Sequence, residues 1–353
     1  MKILLLPGDG IGPEIMTATE QMLDALDKRF GLGLSFETRD IGVPALEKQG
    51  STVPDGLIDH ARTVDAVILG PVDTAAYPPP DQGGINASAT FRRELDLYAN
   101  IRPSRTRAGV PALTQMDLVV VRENTEGFYA DRTMFAGGGE FMPTPDLALA
   151  VRKITRHGSE RVVRAACEVA MTRRRKLAIV NKSNVLKLSD GLFLEAAHTV
   201  CADFPDIEVE EILVDAMASL LVRNPADFDV IVSTNMFGDI LSNEAAELSG
   251  GLGLAPSINA GNDYAIAQAS HGAAPDIAGQ DAANPSALVV STAMLLDWIG
   301  RRSGNNVLVE AAAATERAVD DLLADPATHT PDLGGPLGTE AFGETLANRI
   351  GAN

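Results

Sequence analysis

Three arginines stand beside predicted turns or strand ends in the first half of the sequence: Arg92, Arg102 and Arg122. The planar guanidinium group binds a carboxylate through two parallel hydrogen bonds. A single arginine at such a place more often forms a surface ion pair. Three of them near the long Pro/Gly-rich loop at 70–84 weaken that interpretation without removing it, and three converging on one pocket would suit a di- or tricarboxylate.

Two acids and one amide follow predicted strands further along the chain. Asp215 comes after one strand, and Asp239 and Asn243 come after another, four residues apart. Residues with this spacing lie on the same face of a helix. Carboxylate and amide oxygens suit Mg²⁺ or Mn²⁺. The pattern therefore predicts a divalent metal site, although helix capping explains the spacing equally well.

Lys182 directly follows the predicted strand at 177–180. A lysine at the carboxyl end of a strand is either an ordinary solvated cation or a general base whose neutral form is favoured by burial beside a metal. The residues alone leave both interpretations open.

A glycine-rich segment, GDGIGPE at 8–14, separates the first predicted strand from a helix. Such a segment can bring backbone amides close to an anion or a cofactor. Its spacing is G-x-G-x-G, however, and differs from the G-x-G-x-x-G of dinucleotide-binding Rossmann domains; no acidic residue on a second strand accompanies it. We therefore do not expect the usual Rossmann domain.

The elements that must position these residues are short apolar strands alternating with longer amphipathic helices, which predicts an α/β fold. A length of 353 residues corresponds to about two domains. A Gly-Gly-Gly segment at 137–139 indicates a mobile insertion or an oligomer contact. Strands are predicted at 3–6, 66–69, 118–121, 177–180 and 230–233, and helices at 14–30, 161–172, 191–204 and 286–299.

The charge balance is strongly acidic: 29 Lys+Arg stand against 48 Asp+Glu, a formal net charge of −19. Such a surface repels nucleic-acid phosphates and anionic lipid headgroups, so we expect neither nucleic acid nor membrane as a partner. The first apolar run is too short for a signal sequence, and none approaches the ~18 residues of a membrane span, which predicts a cytoplasmic protein. Cys167 and Cys201 lack a paired spacing and are predicted to be core thiols.

Several segments together resemble the β-decarboxylating dehydrogenases, the family of isocitrate, homoisocitrate, 3-isopropylmalate, tartrate and D-malate dehydrogenases. The likeness covers nearly the whole chain. In family order, the segments are GDGIGPE at 8–14, RRELDLYANIRP at 92–103, VRENTEGFY at 121–129, NKSNVLKLSDGLF at 181–193, FGDILS at 237–242, GGLGLAPS at 250–257 and HGAAPDIAGQDAANP at 271–285.

The resemblance implies an α/β, two-domain isocitrate/isopropylmalate dehydrogenase-like fold. Residues 1–98 and 253–353 would form a large cofactor-binding domain. Residues 99–252 would form a small domain with the dimer interface and the metal and substrate residues. The resemblance also implies a homodimer whose active sites each borrow residues from the partner subunit.

The resemblance further implies a substrate site for a small di- or tricarboxylate. Arg92, Arg102 and Arg122 would clamp its carboxylates. Asn86 and Ser88 would contact the substrate side chain.

Catalytic and metal-binding roles follow from the same resemblance. Tyr129 would protonate the product carbon, and Lys182 would belong to the relay that takes the hydroxyl proton. Asp215, Asp239 and Asn243 would hold Mg²⁺ or Mn²⁺. Lys182 and Asp215 would reach the site from the other subunit.

The cofactor implied by the resemblance is NAD. Asp276 and Ile277 occupy the pair that NADP-dependent relatives fill with Lys and Tyr. A carboxylate accepts hydrogen bonds from the ribose hydroxyls and repels a 2′-phosphate, which favours NAD. The residues implied in cofactor binding are Ile11, Thr74, His271, Gly272, Ala274, Asp276, Ile277 and Asn284.

Two positions depart from the family pattern: Asn243 replaces a usual third aspartate, and Gln268 replaces a common glutamate near the nicotinamide. These changes also suit another class of protein, a non-catalytic regulatory subunit of a hetero-oligomeric isocitrate dehydrogenase. The retained Tyr129 and Lys182 favour an active enzyme.

The substrate prediction depends on the segment at 86–89, Asn-Ala-Ser-Ala, where isopropylmalate-type relatives present leucines. An isopropyl group buried against Asn86 and Ser88 would leave polar groups unsatisfied. A third carboxylate could accept their hydrogen bonds, so we expect isocitrate/homoisocitrate-type activity. Ala89 stands where some homoisocitrate enzymes carry an arginine, which favours the shorter acid. The alternatives are 3-isopropylmalate and D-malate or tartrate.

Overall fold

A computed structural model of the chain describes residues 1–129 and 133–352. The strands are β1 (Lys2–Leu6), β2 (Ser35–Thr38), β3 (Ala66–Leu69), β4 (Ala99–Arg105), β5 (Asp117–Glu123), β6 (Glu140–Thr144), β7 (Leu147–Ala150), β8 (Lys176–Asn181), β9 (Glu208–Leu213), β10 (Val230–Ser233), β11 (Ile258–Ala260) and β12 (Ala265–Ala267). The helices are α1 (Gly12–Phe30), α2 (Val43–Gln49), α3 (Leu57–Ala61), α4 (Ala87–Glu94), α5 (Arg156–Met171), α6 (Ser189–Cys201), α7 (Val214–Arg223), α8 (Asn235–Ser249), α9 (Ser286–Ser303), α10 (Asn306–Leu323) and α11 (Thr339–Ala352).

Ten strands form a single mixed sheet in the order β2-β1-β3-β12-β11-β4-β5-β10-β8-β9. Pairing is parallel on both flanks and antiparallel where β12, β11, β4 and β5 meet at the centre. The three antiparallel pairings at the centre distinguish this strand order from the 3-2-1-4-5-6 order of the usual Rossmann domain. The predicted α/β class and the predicted strands are confirmed.

The sheet has four apolar cores, two on each face. Alternate residues of a strand pack into cores on opposite faces, because successive side chains point to opposite sides of a sheet. Ile3 and Leu5 pack with residues of α1, α9, α10 and α11, whereas Leu4 and Leu6 pack with α3 and α4. In the other half of the sheet, β5 packs against α5 and α6 on one face and against α7 and α8 on the other.

The origin of these cores in the sequence bears on the domain division. The first two draw almost entirely on residues before 98 and after 257, with Val110 as an exception. The other two draw on residues 99–248. This distribution supports a division into 1–98 plus 253–353 and 99–252, which we retain as a proposal.

Helices α5 and α1 begin before their predicted starts. Helix α5 begins at Arg156, five residues before the predicted start, because the Thr155 hydroxyl accepts a hydrogen bond from the amide of Gly158. Helix α1 begins at Gly12, with Pro13 in its first turn. Apolar periodicity shows the buried face of a helix but not its capping residue.

The glycine-rich segment binds the protein's own backbone. The Asp9 amide donates a hydrogen bond to the Pro71 carbonyl, and the Ile11 amide donates to the Ala273 carbonyl; each donor–acceptor distance is 2.9 Å. A Cβ atom on Gly10 would lie 1.9 Å from the Ala273 oxygen. These glycines therefore allow close contact between chain segments, and these two amides are not available to an anion.

The Pro/Gly-rich loop at 70–84 is anchored by Asp9, which is buried. The Asp9 carboxylate accepts hydrogen bonds from the Val43 and Asp73 amides at 2.7 and 2.8 Å and from the Tyr77 hydroxyl at 2.5 Å. Burial and the Asp9 charge raise the pKa of Tyr77, so its hydroxyl keeps its proton.

The segment after the Gly-Gly-Gly run forms a separate two-stranded sheet of β6 and β7. All of its strand residues are exposed, including Phe141, Met142, Leu147 and Leu149.

Cys167 is buried as predicted, whereas Cys201 is partly exposed at the end of α6, and both are free thiols. No helix in the described ranges is both long and apolar enough to cross a bilayer.

Candidate active site

A row of polar side chains crosses the centre of the sheet on the face that carries α4 and α8. Asn100 of β4 pairs in register with Arg122 of β5 and with Asn259 of β11. Directly paired residues project to the same face, so these three side chains are neighbours. All three are buried, which makes the centre of this face polar instead of apolar.

Arg102 projects from β4 onto the same face and is 6% exposed. Its Nε donates to Asn100 Oδ1 at 2.5 Å, and its Nη1 donates to Ser242 Oγ at 2.9 Å and Asp239 Oδ1 at 3.1 Å. Burial and the adjacent Arg122 charge lower the pKa of Arg102 to about 10, against the opposing effect of Asp239. Arg102 therefore remains a cation at neutral pH.

Arg122 lies beside Arg102 at the end of β5 and shares the same acid. Its Nε and Nη2 donate to Asn235 Oδ1 at 3.1 and 2.7 Å, and its Nη1 donates to Asp239 Oδ1. Burial lowers the pKa of Arg122. The guanidinium carbon is 5.8 Å from the centre of the Tyr129 ring. One carboxylate thus stands between two buried cations, with Tyr129 next to them.

Arg92 approaches this row from α4. Its Nε donates to Asn259 Oδ1 at 3.1 Å. The structure therefore connects Arg92, Arg102 and Arg122 to the same polar row, although their positions in the sequence are ten or more residues apart. This arrangement concentrates positive charge in a chain whose net charge is −19.

The polar segment at the start of α4 is partly used by the fold itself. Asn86 is the N-cap of α4, and its Oδ1 accepts a hydrogen bond from the Ala89 amide at 2.9 Å. None of the described residues accepts a hydrogen bond from its Nδ2, which can therefore donate to a ligand. The Ser88 hydroxyl oxygen accepts a hydrogen bond from Gln268 Nε2 at 2.7 Å.

Asp239 and Asn243 lie on one face of α8, as their spacing predicts. Asp239 Oδ1 accepts from both arginines, whereas its Oδ2 accepts no hydrogen bond from the described residues. Asn243 Oδ1 is 3.5 Å from Arg102 Nη1. These hard oxygen donors fit Mg²⁺ or Mn²⁺. Across residues 1–129 and 133–352, however, no three His, Cys, Asp or Glu side chains form a metal-binding group.

The remaining acid, Asp215, pairs with Lys182 instead. Lys182 follows β8 and Asp215 lies in the first turn of α7, with Nζ and Oδ1 2.5 Å apart. The Lys182 hydrogen bond lowers the pKa of Asp215, so its carboxylate stays ionised. Exposed apolar side chains, Val185 and Leu188, follow Lys182 in the chain. The ion pair is partly exposed, with the Lys182 side chain 24% and the Asp215 side chain 65% exposed, and no hydrogen bond joins it to Asp239 among the described residues.

The residues expected to bind the cofactor lie on three segments, at 8–14, 70–84 and 271–285. Ile11 is buried and is joined to the 271–285 segment by its hydrogen bond to Ala273. Thr74 is exposed in the loop that Asp9 anchors. Glu14 also joins the first and third of these segments, since its carboxylate accepts a hydrogen bond from the Asp281 amide at 3.1 Å. No pattern in the sequence indicated this role of Glu14.

His271 presents an unused acceptor. Its Nδ1 is 3.0 Å from the Gly272 carbonyl oxygen. A carbonyl only accepts, so Nδ1 carries the proton and Nε2 is the acceptor. Nε2 is buried and has no hydrogen-bond partner among the described residues. Burial lowers the pKa of His271, which keeps the ring neutral. Such an atom fits an amino donor like that of adenine.

The other expected cofactor residues differ in how freely they can bind a ligand. Asp276 and Gly272 are exposed, and Ala274 has a φ of +38°. Ile277 packs against the core of α1 and α9. Asn284 already accepts from the Ser286 amide at 3.0 Å and donates to Asp332 at 3.1 Å, so both ends of its side chain have a partner.

Sequence reasoning missed most of the amides that hold the arginines, namely Asn100, Asn235 and Asn259. Isolated amides have no characteristic spacing, and only the register of β4 and β11 brings two of them together. The acids of the 121–129 segment are also structural. Glu123 accepts hydrogen bonds from Thr125 and Glu126, and Glu126 accepts from Thr155 at the start of α5.

Comparison with known proteins gives consistent matches along the chain. The family model for isocitrate/isopropylmalate dehydrogenase matches residues 2–346. An isocitrate/homoisocitrate dehydrogenase of Thermus thermophilus is 42% identical over 350 residues, which cover 99% of this chain and 98% of that protein. A 3-isopropylmalate dehydrogenase of Archaeoglobus fulgidus is 41% identical over 352 residues, which cover 99% of both.

The fold gives the same result. The crystal structure of isocitrate dehydrogenase from Methylococcus capsulatus matches with a TM-score of 0.88 at 39% sequence identity, and the match covers 99% of each chain. The expected isocitrate/isopropylmalate dehydrogenase-like fold is thus confirmed. Because sequence and structure match along almost the entire chain, this protein belongs to the isocitrate/isopropylmalate dehydrogenase family.

Proposed function

We propose that this protein is an NAD-dependent and divalent-metal-dependent enzyme that oxidatively decarboxylates a 2-hydroxy-3-carboxy acid of the isocitrate/homoisocitrate type. The observation that carries the proposal is the convergence of Arg102 and Arg122 on Asp239, beside Tyr129. Two buried cations that share one acid leave positive charge for a substrate carboxylate.

The residues of this chain would perform separate tasks. Arg92, Arg102 and Arg122 would bind and orient the carboxylates. Lys182 would take part in removing the hydroxyl proton, and Tyr129 would donate a proton to the carbon that loses CO₂.

The implied metal would be held by Asp239 and Asn243 of one subunit and Asp215 of the other. When bound, the divalent cation supplies a Lewis acid for the substrate oxygens and NAD accepts the hydride. The unused Oδ2 of Asp239 supports this assignment.

A homodimer with shared sites would complete this arrangement. Lys182 and Asp215 bond to each other, and apolar side chains are exposed in the segments that carry them, which supports burial against a second copy. The exposed apolar residues are Val185 and Leu188 after β8, Val222 on α7 and Ile240 on α8.

We also propose a cytoplasmic location, because two free thiols with Sγ atoms 3.9 Å apart suit a reducing compartment.

For the cofactor, we propose NAD over NADP. Asp276 is exposed and makes no ion pair among the described residues, so its carboxylate is free to accept from ribose hydroxyls and would repel a 2′-phosphate. Steady-state kinetics with both cofactors test this choice, and a higher kcat/KM with NADP would refute it.

The substrate is tested by a panel of 2-hydroxy-3-carboxy acids, assayed with NAD and Mn²⁺ and ranked by kcat/KM. We expect isocitrate or homoisocitrate to exceed 3-isopropylmalate, D-malate and tartrate by about 10-fold or more, because Asn86 and Ser88 offer hydrogen bonds that an apolar group cannot use. A higher kcat/KM for 3-isopropylmalate would contradict the inference that Asn86 and Ser88 favour a polar substrate group. No turnover by the homogeneous protein would favour the regulatory-subunit alternative.

A further inference from the structure

A chain of hydrogen-bonded side chains, most of them buried, lies behind the substrate segment. Ser88 and Arg92 are four residues apart on α4 and therefore lie on one face of that helix. Asn259 of β11 and Gln268, the residue after β12, connect them from the sheet. Ser88, Asn259 and Gln268 are at most 8% exposed, so water does not compete for their hydrogen bonds.

Arg92 fixes which group donates and which accepts in each of these hydrogen bonds, because its guanidinium group can only donate. Its Nε is 3.1 Å from Asn259, so the atom of Asn259 that faces it must be the carbonyl oxygen Oδ1. The Asn124 amide nitrogen donates to the same oxygen at 2.9 Å. The amide nitrogen of Asn259 is consequently directed at Gln268.

The orientation of Asn259 in turn fixes the donor and acceptor roles of Gln268 and Ser88. Asn259 Nδ2 donates to Gln268 Oε1 at 3.3 Å, and Gln268 Nε2 donates to Ser88 Oγ at 2.7 Å. The Ser88 oxygen therefore acts as an acceptor on its buried side. None of the described residues accepts the Ser88 hydroxyl proton, which is left to donate to a ligand.

We propose that Gln268, held by Asn259, is a positioning residue that turns the Ser88 proton towards the substrate. It thereby selects substrates that carry a carboxylate at this point over substrates that carry an apolar group. The inference rests on the proposed function and specifies its substrate class. A glutamate at position 268 would accept from both neighbours and draw the Ser88 proton inward, so Gln268 matters through its amide.

Two variants separate this role from simple packing. Gln268→Met preserves side-chain length, removes both hydrogen bonds and adds no charge. Gln268→Glu preserves shape but reverses the hydrogen bond to Ser88, and it keeps the test open if the Met variant does not fold. Each is made in the wild-type and the Ser88→Ala background, with Gln49→Met on the exposed end of α2 as the control.

The readout is the ratio of kcat/KM for isocitrate or homoisocitrate, whichever wild type prefers, to kcat/KM for 3-isopropylmalate. We expect Gln268→Met to lower this ratio about 10-fold and Gln268→Glu about 100-fold, mainly through KM of the tricarboxylate. In the Ser88→Ala background, Gln268→Met should change the ratio by less than about 2-fold. An effect of the introduced negative charge alone would persist in that background.

The outcomes distinguish the two proposals. If wild type prefers a tricarboxylate but the Gln268→Met effect is equally large without the Ser88 hydroxyl, the positioning role is wrong and the proposed function stands. If wild type oxidises none of these acids, or prefers 3-isopropylmalate, the proposed function fails and the positioning role fails with it.

Discussion

At the scale of single residues, Arg102 and Arg122 are held in an incomplete electrostatic arrangement. Both are almost fully buried, and both donate to one oxygen of Asp239. A buried cation without a full counter-charge is costly, because water cannot solvate it. A substrate carboxylate would add the missing charge, so the energy of holding the two arginines together would contribute to binding.

Tyr129 beside these arginines gives the first prediction. Tyr129→Phe should slow protonation of the product carbon about 100-fold or more, while the first hydride transfer changes less than about 5-fold. Rapid-mixing measurement of the NADH burst, compared with steady-state turnover, separates the steps. Tyr264→Phe, which alters a side chain packed against the β1 core, is the control. Equal loss in both steps would contradict the assigned role.

Asn243 gives a prediction about the metal. Asn243→Asp should tighten Mn²⁺ binding about 10-fold, since a carboxylate adds a negative charge to the donors contributed by α8. Direct Mn²⁺ titration measures the change without reference to activity. Asn348→Asp adds the same charge on α11 and should leave Mn²⁺ affinity unaltered. An unchanged affinity in Asn243→Asp would show that charge does not limit metal binding.

His271 predicts the pH dependence of cofactor binding. Its Nε2 can accept a hydrogen bond only while the ring is neutral, and burial lowers the pKa of His271 below the usual ~6.5. NAD affinity should therefore be constant from pH 8 to about 6.5 and fall only below that range. Measurement of Kd across pH checks this, with the exposed His198→Gln as the control. A fall centred above pH 6.5 would oppose the assignment.

At the scale of elements, the loop at 70–84 depends on one buried acid. Tyr77→Phe should cost about 1.5–3 kcal/mol of unfolding free energy, because it removes a hydrogen bond to the Asp9 carboxylate. It should also raise KM for NAD several-fold with little change in kcat, since Thr74 lies in this loop. Urea unfolding and steady-state kinetics measure both effects.

The matched control for this loop variant is Tyr98→Phe. The Tyr98 hydroxyl donates to Asn262 at an exposed position. Its removal should leave KM for NAD unchanged. A raised KM in both variants would mean that the Tyr77 effect does not arise from the loop.

Sequence patterns predicted the elements better than they predicted their connections. Apolar runs identified β1, β3, β5, β8 and β10 because each is buried on both faces. The spacing of Asp239 and Asn243 predicted a shared helix face, since helical geometry is local. The link from Arg92 through Asn259 to Gln268 could not be predicted, because it depends on strand pairings between distant parts of the chain.

At the scale of the whole molecule, the net charge of −19 opposes an anionic substrate, while the site concentrates cations. Exposed charges more than about 8 Å apart are largely screened at physiological salt. The local arrangement of Arg92, Arg102 and Arg122 should therefore decide affinity, and the surface charge should affect mainly the rate of encounter.

Shared sites in a homodimer give the last prediction. Tyr129→Phe and Lys182→Met should each lose nearly all steady-state turnover alone. If Lys182 comes from the other subunit, a mixed dimer contains one site with both changes and one wild-type site. Unfolding and refolding a 1:1 mixture should then restore about a quarter of wild-type turnover, because half of the dimers are mixed. No restoration would place Tyr129 and Lys182 of each site in one chain. The control is the same unfolding and refolding carried out on Tyr129→Phe alone.

The order of strands in the sheet also has a consequence for synthesis. Strands β11 and β12 are made late, from residues 258–267, yet they lie between β3 and β4. While residues 1–257 emerge from the ribosome, β3 and β4 therefore present unpaired edges that can associate with other chains. The nascent protein cannot complete its sheet until residue 267 of 353 is made, so its yield in cells should depend on protection of those edges during translation.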